Sequence, residues 1–197
     1  MTGGPAKLVV MQVRLAESRD AAGVQAIYAP IVATTPISFE VEPPSLEEMA
    51  RRIARTMPAH PWLVALDQGH LAGYAYAGPH RIRAAYRWCV DVSAYVDPDS
   101  RRRGVGRSLY TALLAVLELQ GYREAFAGIA LPNPASVGLH QGLGFVAVGV
   151  YRRVGWKLGA WHDVGWWQRS LIASSDEPSE PKTLDRLDHE QLRAALG

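Results

Sequence analysis

The segment DVSAYVDPDSRRRGVGRSLYTALL, residues 91–114, places a glycine-rich turn between an alternating strand and a helix. Such a turn exposes successive backbone N–H groups, and the dipole of the helix adds partial positive charge, so an anionic phosphate can bind there. Gly104 and Gly106 permit close approach of the phosphate. Positive charge suited to a polyphosphate comes from Arg101, Arg102, Arg103 and Arg107. The segment lacks the GxxxxGK[ST] and GxGxxG spacings, which disfavours ATP and NAD. It predicts a phosphate-binding turn, although the same pattern taken alone is also typical of a solvated basic loop.

Hydrophobic periodicity on either side of this segment predicts the element order βααβββαβαββ. Upstream, apolar spacing predicts a helix that ends near Pro30 and a second helix that begins at a capping box on Ser45. Downstream, we expect a helix over residues 105–119 and a short helix capped by Asn133. Strands are predicted for WLVALD, HLAGYAYAG, RWCVDVSAYV and EAFAGIAL, and for two aromatic-rich runs near the end of the body. This order predicts an α/β (α+β) fold, a mixed twisted sheet with helices on both faces.

The composition limits the classes of partner and cofactor. The 197 residues carry 21 Lys and Arg against 19 Asp and Glu, a net charge of +2, which argues against nucleic acid or a membrane as the main partner. Cys89 is the single cysteine, so an intrachain disulfide and a multi-cysteine zinc site are excluded. No third ligand accompanies His162 and Asp163, and we expect no metal. We expect a cytoplasmic protein without an export signal or membrane span.

Composition also divides the chain into three parts. An N-terminal extension covers residues 1–12, one domain covers residues 13–173, and a polar tail covers residues 174–197. The tail holds six acidic and three basic residues, and its Ser, Pro and Glu content is typical of a solvated linker. We expect the tail to be an appendage in which residues 184–196 can form a short helix.

Several segments resemble, in order, those of the phosphinothricin N-acetyltransferase family of the GNAT superfamily. RRRGVG after VSAYVDP resembles the [RQ]xxGx[GA] pyrophosphate loop of GNAT enzymes, which bind acetyl-CoA there. The resemblance extends through HPWLVA, LAGYAYAGPHRIRAAYRW, LPNPASVGLHQGLGF and KLGAWHDVGWWQ, from about residue 13 to residue 171. It implies the GNAT fold, a homodimer, and direct transfer of acetyl from acetyl-CoA to the α-amine of a small amino-acid analogue. Phosphinothricin, methionine sulfoximine and methionine sulfone are the acceptors that it suggests, and herbicide resistance is an accompanying trait.

Such a transfer requires a proton acceptor, because an ammonium cannot attack a thioester and an α-amine titrates near or above ~8. Asp91 and His140 are the candidates. Strand alternation places Asp91 on one face with Ser93. The family carries Glu at the position of Asp91, one methylene longer, so the shorter side chain favours a relay through water. His140 stands at the position of the family's histidine, and each residue can also be a satisfied polar group.

The acceptor itself needs cations for a carboxylate and for a phosphinate or sulfone. The resemblance assigns this role to the segment HRIRAAY, which contains His80, Arg81, Arg83 and Tyr86. Ser93 can donate a hydrogen bond, and Phe39 corresponds to an aromatic residue that covers the acceptor in the family. The alternatives are a solvent-facing basic loop and a core position for Phe39.

The cofactor is expected along the strand and the turn. The resemblance implies that the pantetheine arm lies against the strand backbone like an added strand, and that an N–H near residues 92–94 stabilises the thioester oxyanion. The cofactor-binding candidates are Ala94, Tyr95, Val96, Arg101, Arg102, Arg103, Gly104, Val105, Gly106, Arg107, Ser108 and Asn133.

Three alternative functions stay open on the sequence. One is an acetyltransferase for another amine or for a protein N-terminus. The others are a non-catalytic CoA-binding regulator and a nucleic-acid-binding module that uses RRRGVGR with nearby aromatic residues. A ping-pong route through Cys89 is disfavoured, because no basic residue adjoins this cysteine.

Overall fold

The computed structural model describes residues 11–174 and 176–197. Seven strands and five α-helices lie within these residues. The strands are β1 (Gln12–Leu15), β2 (Trp62–Asp67), β3 (His70–Pro79), β4 (Cys89–Val96), β5 (Glu124–Leu131), β6 (Val146–Lys157) and β7 (Ala160–Ser170). The helices are α1 (Ala21–Thr34), α2 (Leu46–Thr56), α3 (Val105–Gln120), α4 (Pro134–Gln141) and α5 (His189–Leu196). Apart from α5 in the tail, the observed element order is the predicted one.

All seven strands form one sheet in the order β1-β2-β3-β4-β5-β7-β6. β4 and β5 run parallel, and every other neighbouring pair is antiparallel. The parallel pair needs a crossover connection, which α3 supplies between the two strands. The predicted mixed sheet is therefore confirmed.

Helices cover both faces of this sheet, as predicted. On one face the buried stripe of α3, with Leu109, Leu113 and Leu117, packs on the side chains of β4 that include Val90 and Val92. On the other face a second cluster joins α1 and α2 to the aromatic side chains of β2 and β3. Burial of apolar area on both faces is the main stabilising contribution to such a layered fold.

Pro30 does not end α1, which continues to Thr34. Proline removes one intrahelical N–H donor, but the helix keeps its register because Val24, Ile27 and Ile31 are buried on one side of it. The prediction from Pro30 was therefore short by one turn. The N-cap at Ser45 is confirmed, because its hydroxyl accepts a hydrogen bond from the backbone N–H of Glu48 at 3.1 Å. The second bond of a capping box does not form, because the Glu48 carboxylate accepts from Arg51 and Arg52 instead.

The central feature of the sheet is a divergence between β4 and β5. The two strands pair only from Cys89 to Asp91 on β4, opposite residues 124–126 of β5. Beyond that point β4 stays paired with β3 as far as Val96, and β5 stays paired with β7 as far as Leu131. The facing edges of β4 and β5 are thus unpaired over five of the eight residues in each strand, and a wedge opens in the middle of the sheet.

The tail is docked on the body and is not a free appendage. Leu184 and Leu187 are buried in a cluster with Val116 of α3, and α5 packs along α3. The indole N–H of Trp88 donates to the carbonyl of Ser179 at 2.8 Å. The expected N-terminal extension lies outside the described residues apart from its last two positions, and no described helix is long and apolar enough to cross a bilayer.

Candidate active site

A groove of about 700 Å³ runs along the freed end of β4, between this strand and α4. Ala94, Tyr95 and Val96 of β4 form one wall, and side chains of α4 that include His140 form the opposite wall. The groove ends at the first turn of α3, which residues 104–106 supply. The divergence of two strands and the beginning of a helix therefore meet in one cavity.

The turn at the end of the groove has the backbone conformation that the sequence predicted. Gly104 precedes α3 with φ of 86°, in the left-handed region that glycine adopts without strain. The first intrahelical bond of α3 runs from the N–H of Ser108 to the carbonyl of Gly104. The amides of Val105, Gly106 and Arg107 precede it and have no partner within the helix. Three backbone donors and the positive end of the helix dipole therefore point out of the turn.

The structure brings most of the predicted cofactor residues to this groove. Arg101, Arg102 and Arg107 line it together with the glycines, the β4 backbone and Asn133. Arg103 does not line it, because its guanidinium pairs with the buried carboxylate of Asp67 at 2.8 Å and ties the turn to the end of β2. Ser108 is exposed on α3 and does not line the groove either.

Asn133 has the capping role that the sequence predicted. Its side-chain oxygen accepts a hydrogen bond from the N–H of Ser136 at 3.1 Å, at the start of α4. It also lines the groove. One residue can therefore fix the first turn of α4 and face a ligand.

His140 is almost fully buried in α4, with 4% of its surface exposed. Its Nδ1 lies 2.7 Å from the carbonyl oxygen of Ser136, which can only accept, so Nδ1 carries the proton. Its Nε2 then accepts from the hydroxyl of Tyr110 at 2.9 Å. Burial lowers the pKa of His140 and raises the pKa of Tyr110, so both groups stay neutral around pH 7.

Tyr110 was missed by the reasoning from sequence, which treated this helix as an apolar stripe. The side chain lies on α3 and lines the groove beside His140. The sequence does carry a signal for it, because Tyr110 directly follows the core residue Leu109 in the predicted helix. A buried phenolic hydroxyl requires a hydrogen-bond partner, which points to a polar contact at this position. Tyr110 therefore brings an O–H group to a groove wall that is otherwise largely apolar.

A smaller cavity of about 50 Å³ continues between the diverging strands. Ser93 of β4 and Gly128 of β5 line it, as do His140 and Ile37 from the loop between α1 and α2. Ile37 was not expected at the site. Ser93 thus lies at the inner end of the groove, close to where the two strands separate.

Asp91 pairs with His80 rather than standing alone. The Nδ1 of His80 lies 2.6 Å from Oδ1 of Asp91. The ring of His80 stacks on Phe126 at 4.2 Å and meets Trp166 edge to face. Burial raises the pKa of Asp91, and the hydrogen bond from His80 opposes this shift. Among the described residues Oδ2 of Asp91 has no protein partner. Asp91 lines neither the groove nor the smaller cavity, but its side chain is 37% exposed, so this oxygen is open to water.

The other predicted acceptor residues surround this pair unequally. Arg81 lies with its guanidinium 5.7 Å from the Trp166 ring and donates to the carbonyl of His80 at 2.7 Å. Tyr86 meets the His80 ring edge to face. Arg83 is exposed and forms no ion pair with another described residue. Arg81 and Tyr86 therefore contact the pair, whereas Arg83 lies free on the same loop.

Phe39 belongs to a different part of the site. It is 38% exposed and packs over Gly155 of β6, where a Cβ would overlap its ring. The ring lies 6.3 Å from that of His162. Phe39 is thus a surface residue beside β6 and not a core residue, and it lines neither cavity.

Cys89 and the histidines form no additional reactive centre in the described chain. Burial raises the pKa of the Cys89 thiol, and this residue lines neither cavity. No group of three His, Cys, Asp or Glu side chains in residues 11–174 and 176–197 is arranged to hold a metal ion.

Comparison with known proteins assigns the chain to a family. The acetyltransferase (GNAT) domain family matches residues 13–166. A phosphinothricin N-acetyltransferase of Streptomyces viridochromogenes is 41% identical over 174 residues, which cover 88% of this chain and 95% of that protein. A methionine sulfoximine and methionine sulfone acetyltransferase of Pseudomonas paraeruginosa is 36% identical, over 84% of this chain and 98% of that protein.

A solved structure agrees with these matches. The crystal structure of a phosphinothricin acetyltransferase from Sinorhizobium meliloti in complex with AcCoA superposes with a TM-score of 0.84 at 35% identity, covering 90% of this chain and 97% of that one. The resemblance that the sequence motifs suggested is confirmed, and the chain belongs to the GNAT acetyltransferase family.

Proposed function

We propose that this chain transfers acetyl from acetyl-CoA to the α-amine of a small amino-acid analogue, in a ternary complex without an acyl-enzyme. The observation that carries the proposal is the groove between β4 and α4, which ends at the free amides of α3. The named activities of the relatives, toward phosphinothricin and methionine sulfoximine or sulfone, support the choice of acceptor.

The residues of the groove fit a CoA thioester. The amides of residues 105–107 and the guanidinium groups of Arg101, Arg102 and Arg107 would hold the pyrophosphate. The free backbone edge at Ala94–Val96 would pair with the pantetheine arm, as an added strand does. The thioester supplies an activated carbonyl carbon, and an N–H of β4 near Ser93 would stabilise the oxygen of that carbonyl.

Asp91 is the proposed proton acceptor for the α-ammonium. Its Oδ2 has no protein partner among the described residues, while His80 holds Oδ1 at 2.6 Å and so fixes the carboxylate plane. Burial favours proton uptake because it raises the pKa of this carboxyl. Asp91 takes the first proton of the ammonium directly or through one water, and the freed nitrogen then attacks the carbonyl carbon.

Tyr110 is the proposed donor to the leaving sulfur. The C–N bond forms as the C–S bond breaks, and the departing thiolate then needs one proton. The Tyr110 hydroxyl borders the groove, and in the free protein its single proton lies in the hydrogen bond to Nε2 of the neutral His140. Donation to sulfur therefore requires the O–H to turn out of this bond toward the groove. After the C–N bond forms, the nitrogen loses a second proton, and water carries this proton to the Tyr110 oxygen. The hydroxyl is thereby restored and the protons balance. His140 thus acts on Tyr110, and direct proton abstraction by its occupied Nε2 is not needed.

Acceptor recognition is assigned to the loop after β3. Arg81 and Arg83 would pair with the carboxylate and with the phosphinate or sulfone oxygens, and Tyr86 borders the same space. Ser93 offers a donor at the inner end. Phe39, which packs over Gly155 at the surface, would cover the acceptor from the other side. These assignments place positive charge at an open side of the site, where a small amine that carries a carboxylate or phosphinate can enter and bind.

We also propose that two copies associate through β6. This strand lies at the edge of the sheet, and its Val146, Val148 and Val150 are each about half exposed or more. An exposed apolar edge strand is a surface that proteins normally cover. The lone Cys89 supports a reducing, cytoplasmic location, and herbicide resistance would follow where phosphinothricin is an acceptor.

The decisive experiment is a CoA-release assay with phosphinothricin, methionine sulfoximine, methionine sulfone, methionine and short peptides as acceptors. We expect turnover with at least one of the amino-acid analogues and weaker turnover with peptides. The Asp91→Asn variant provides the matched control for uncatalysed thioester loss. Turnover confined to peptides would transfer the assignment to a protein N-terminus, and CoA binding without turnover on any amine would leave only a CoA-binding regulator.

A further inference from the structure

Lys157, the last residue of β6, has no assigned part in the reaction and an unusual environment. Only 6% of its surface is exposed. Its ammonium donates to two carbonyl oxygens, of Val32 at 2.6 Å and of Ser38 at 2.7 Å. It forms no ion pair with a carboxylate of residues 11–174 or 176–197. A buried ammonium without an acid partner is unfavourable by itself, so its contacts call for an explanation.

The first contact replaces a donor that the helix lacks. Val32 lies in the last turn of α1, and the residue four positions later, which would normally donate to its carbonyl, is Pro36. Proline has no N–H, so the carbonyl of Val32 would stay unpaired inside the protein. The Lys157 ammonium supplies that donor, and the negative end of the α1 dipole favours its charge.

The second contact fixes the loop between α1 and α2, residues 35–45. Ser38 is buried, and its hydroxyl also meets the hydroxyl of Tyr28 at 2.7 Å. The residues on either side of Ser38 make contacts of their own. Ile37 lines both the groove and the smaller cavity, and Phe39 packs over Gly155. One buried anchor therefore sets the position of both side chains.

The acid nearest in this loop does not compete for Lys157. Glu40 receives two hydrogen bonds from the guanidinium of Arg52, at 2.6 and 3.0 Å, and one from Tyr28 at 2.8 Å. Glu40 thus anchors the loop to α2, whereas Lys157 anchors it to β6. The loop is held from two sides and forms a fixed wall.

We infer that Lys157 is a positioning residue for the acceptor side of the site: its buried ammonium joins β6 to the end of α1 and to Ser38, and so holds Ile37 and Phe39 in place. This inference rests on the proposed function, because it assigns the wall that these two residues form to the amine acceptor. Lys157 touches neither the groove nor the Asp91 pair, so it acts only through the loop.

The test replaces Lys157 by Met, which keeps the length and apolar stem of the side chain and removes the charge and the donors. Lys182→Met is the matched control, because Lys182 is exposed in the tail. Three quantities are measured: KM for the acceptor, Kd for CoA, and hydrogen exchange of the amides of residues 37–40. Two of these amides report the loop directly, since Ile37 N–H binds the hydroxyl of Thr35 and Glu40 N–H binds the hydroxyl of Ser38.

We expect Lys157→Met to raise the acceptor KM by about tenfold to a hundredfold, because small displacements of positioning groups are costly to catalysis. Exchange of the amides of residues 37–40 should become faster. Kd for CoA should change by less than the acceptor KM, because only Ile37 of this loop lines the groove and the phosphate turn lies elsewhere. Lys157→Arg, which keeps charge and donors, should restore part of the acceptor KM. Lys182→Met should match the parent protein in all three measurements.

A second perturbation keeps the test valid if Lys157→Met does not fold. Gly155→Ala leaves Lys157 intact but displaces the Phe39 ring from the same strand, and it should raise the acceptor KM in the same way. If no amine is acetylated by the parent protein, the proposed function fails, while hydrogen exchange still decides the role of Lys157. Parent-like loop exchange and parent-like acceptor KM in a folded Lys157→Met protein would overturn the inference.

Discussion

Gly104→Ala tests the phosphate turn with the smallest possible change to the chain. Gly104 has φ of 86°, and an added Cβ would meet no atom within 4 Å, so the substitution introduces no clash. Its effect must come from the backbone alone, because residues with a Cβ adopt the left-handed conformation at a cost of roughly 1–2 kcal/mol. Gly104 is exposed, and the free protein can avoid this cost by a local change of the turn.

If the three free amides of α3 hold the pyrophosphate, CoA can bind only when residue 104 has its left-handed conformation. The conformational cost of the alanine is then paid on binding and weakens the affinity for CoA. A cost of roughly 1–2 kcal/mol corresponds to about 5-fold to 30-fold weaker binding of CoA. The measurement is Kd for CoA by calorimetry, compared with Kd for a pantetheine thioester that has no pyrophosphate. The loss should appear for CoA and be absent for the pantetheine compound.

Gly69→Ala is the control for this experiment. Gly69 has φ of 84°, and a Cβ there also meets nothing within 4 Å, but it lies in the turn between β2 and β3 and does not line the groove. The two substitutions carry the same backbone cost, and only Gly104→Ala should weaken CoA binding. Equal Kd values for CoA in the two variants would refute the assignment of the pyrophosphate to this turn.

Four further substitutions test the remaining assignments. Burial raises the pKa of Asp91, so the folded chain holds this proton more tightly than the unfolded chain, and the charged form costs stability once the pH exceeds that raised value. Asp91→Asn should therefore raise Tm near pH ~8, and this gain should shrink as the pH falls toward 3.8, the ordinary pKa of aspartate. The same substitution should lower kcat by about 10²-fold to 10⁴-fold, and an unchanged kcat would show that Asp91 takes no part in the reaction. Tyr110→Phe should lower kcat and, by leaving Nε2 of His140 unpaired, reduce the free energy of unfolding by about 1–3 kcal/mol, whereas a parent-like kcat would exclude the hydroxyl as proton donor. Arg83→Ala should raise KM for the acceptor by about tenfold and leave KM for acetyl-CoA unchanged, and equal changes in both constants would argue against carboxylate pairing. Val148→Lys should convert a dimer into a monomer in analytical ultracentrifugation, and an unaltered sedimenting mass would place the contact elsewhere.

The sequence predicted those parts of the molecule that depend on local rules. The glycine spacing at Gly104 and Gly106 indicated the turn, and the cap at Asn133 indicated α4. The alternation of polar residues placed Asp91 and Ser93 on one face of β4. Each of these features is determined within a few residues along the chain, by backbone conformation or side-chain period, and the structure agrees with each.

Features that depend on contacts between distant segments were not predicted. His80 was assigned to the acceptor, and its bond to Asp91 follows from the register of the β3–β4 pair, which places Gly78 opposite Asp91. Arg103 was assigned to the cofactor, but the carboxylate of Asp67 from another strand holds it. The buried ammonium of Lys157 depends on a helix more than a hundred residues earlier, because its partner is Val32.

The docked tail bears on how the molecule can be shortened. The family match ends at residue 166, which invites a fragment that stops soon after β7. Such a fragment would expose Val116, which is fully covered, and would remove the partners of Leu119 and of the Trp88 indole. Trp88 immediately precedes β4, and its carbonyl accepts the backbone N–H of Arg123 at 2.8 Å, so loss of the last residues would loosen the strand that carries Asp91. A protein shortened to the limits of the family match would thus be expected to have lower activity than the full chain.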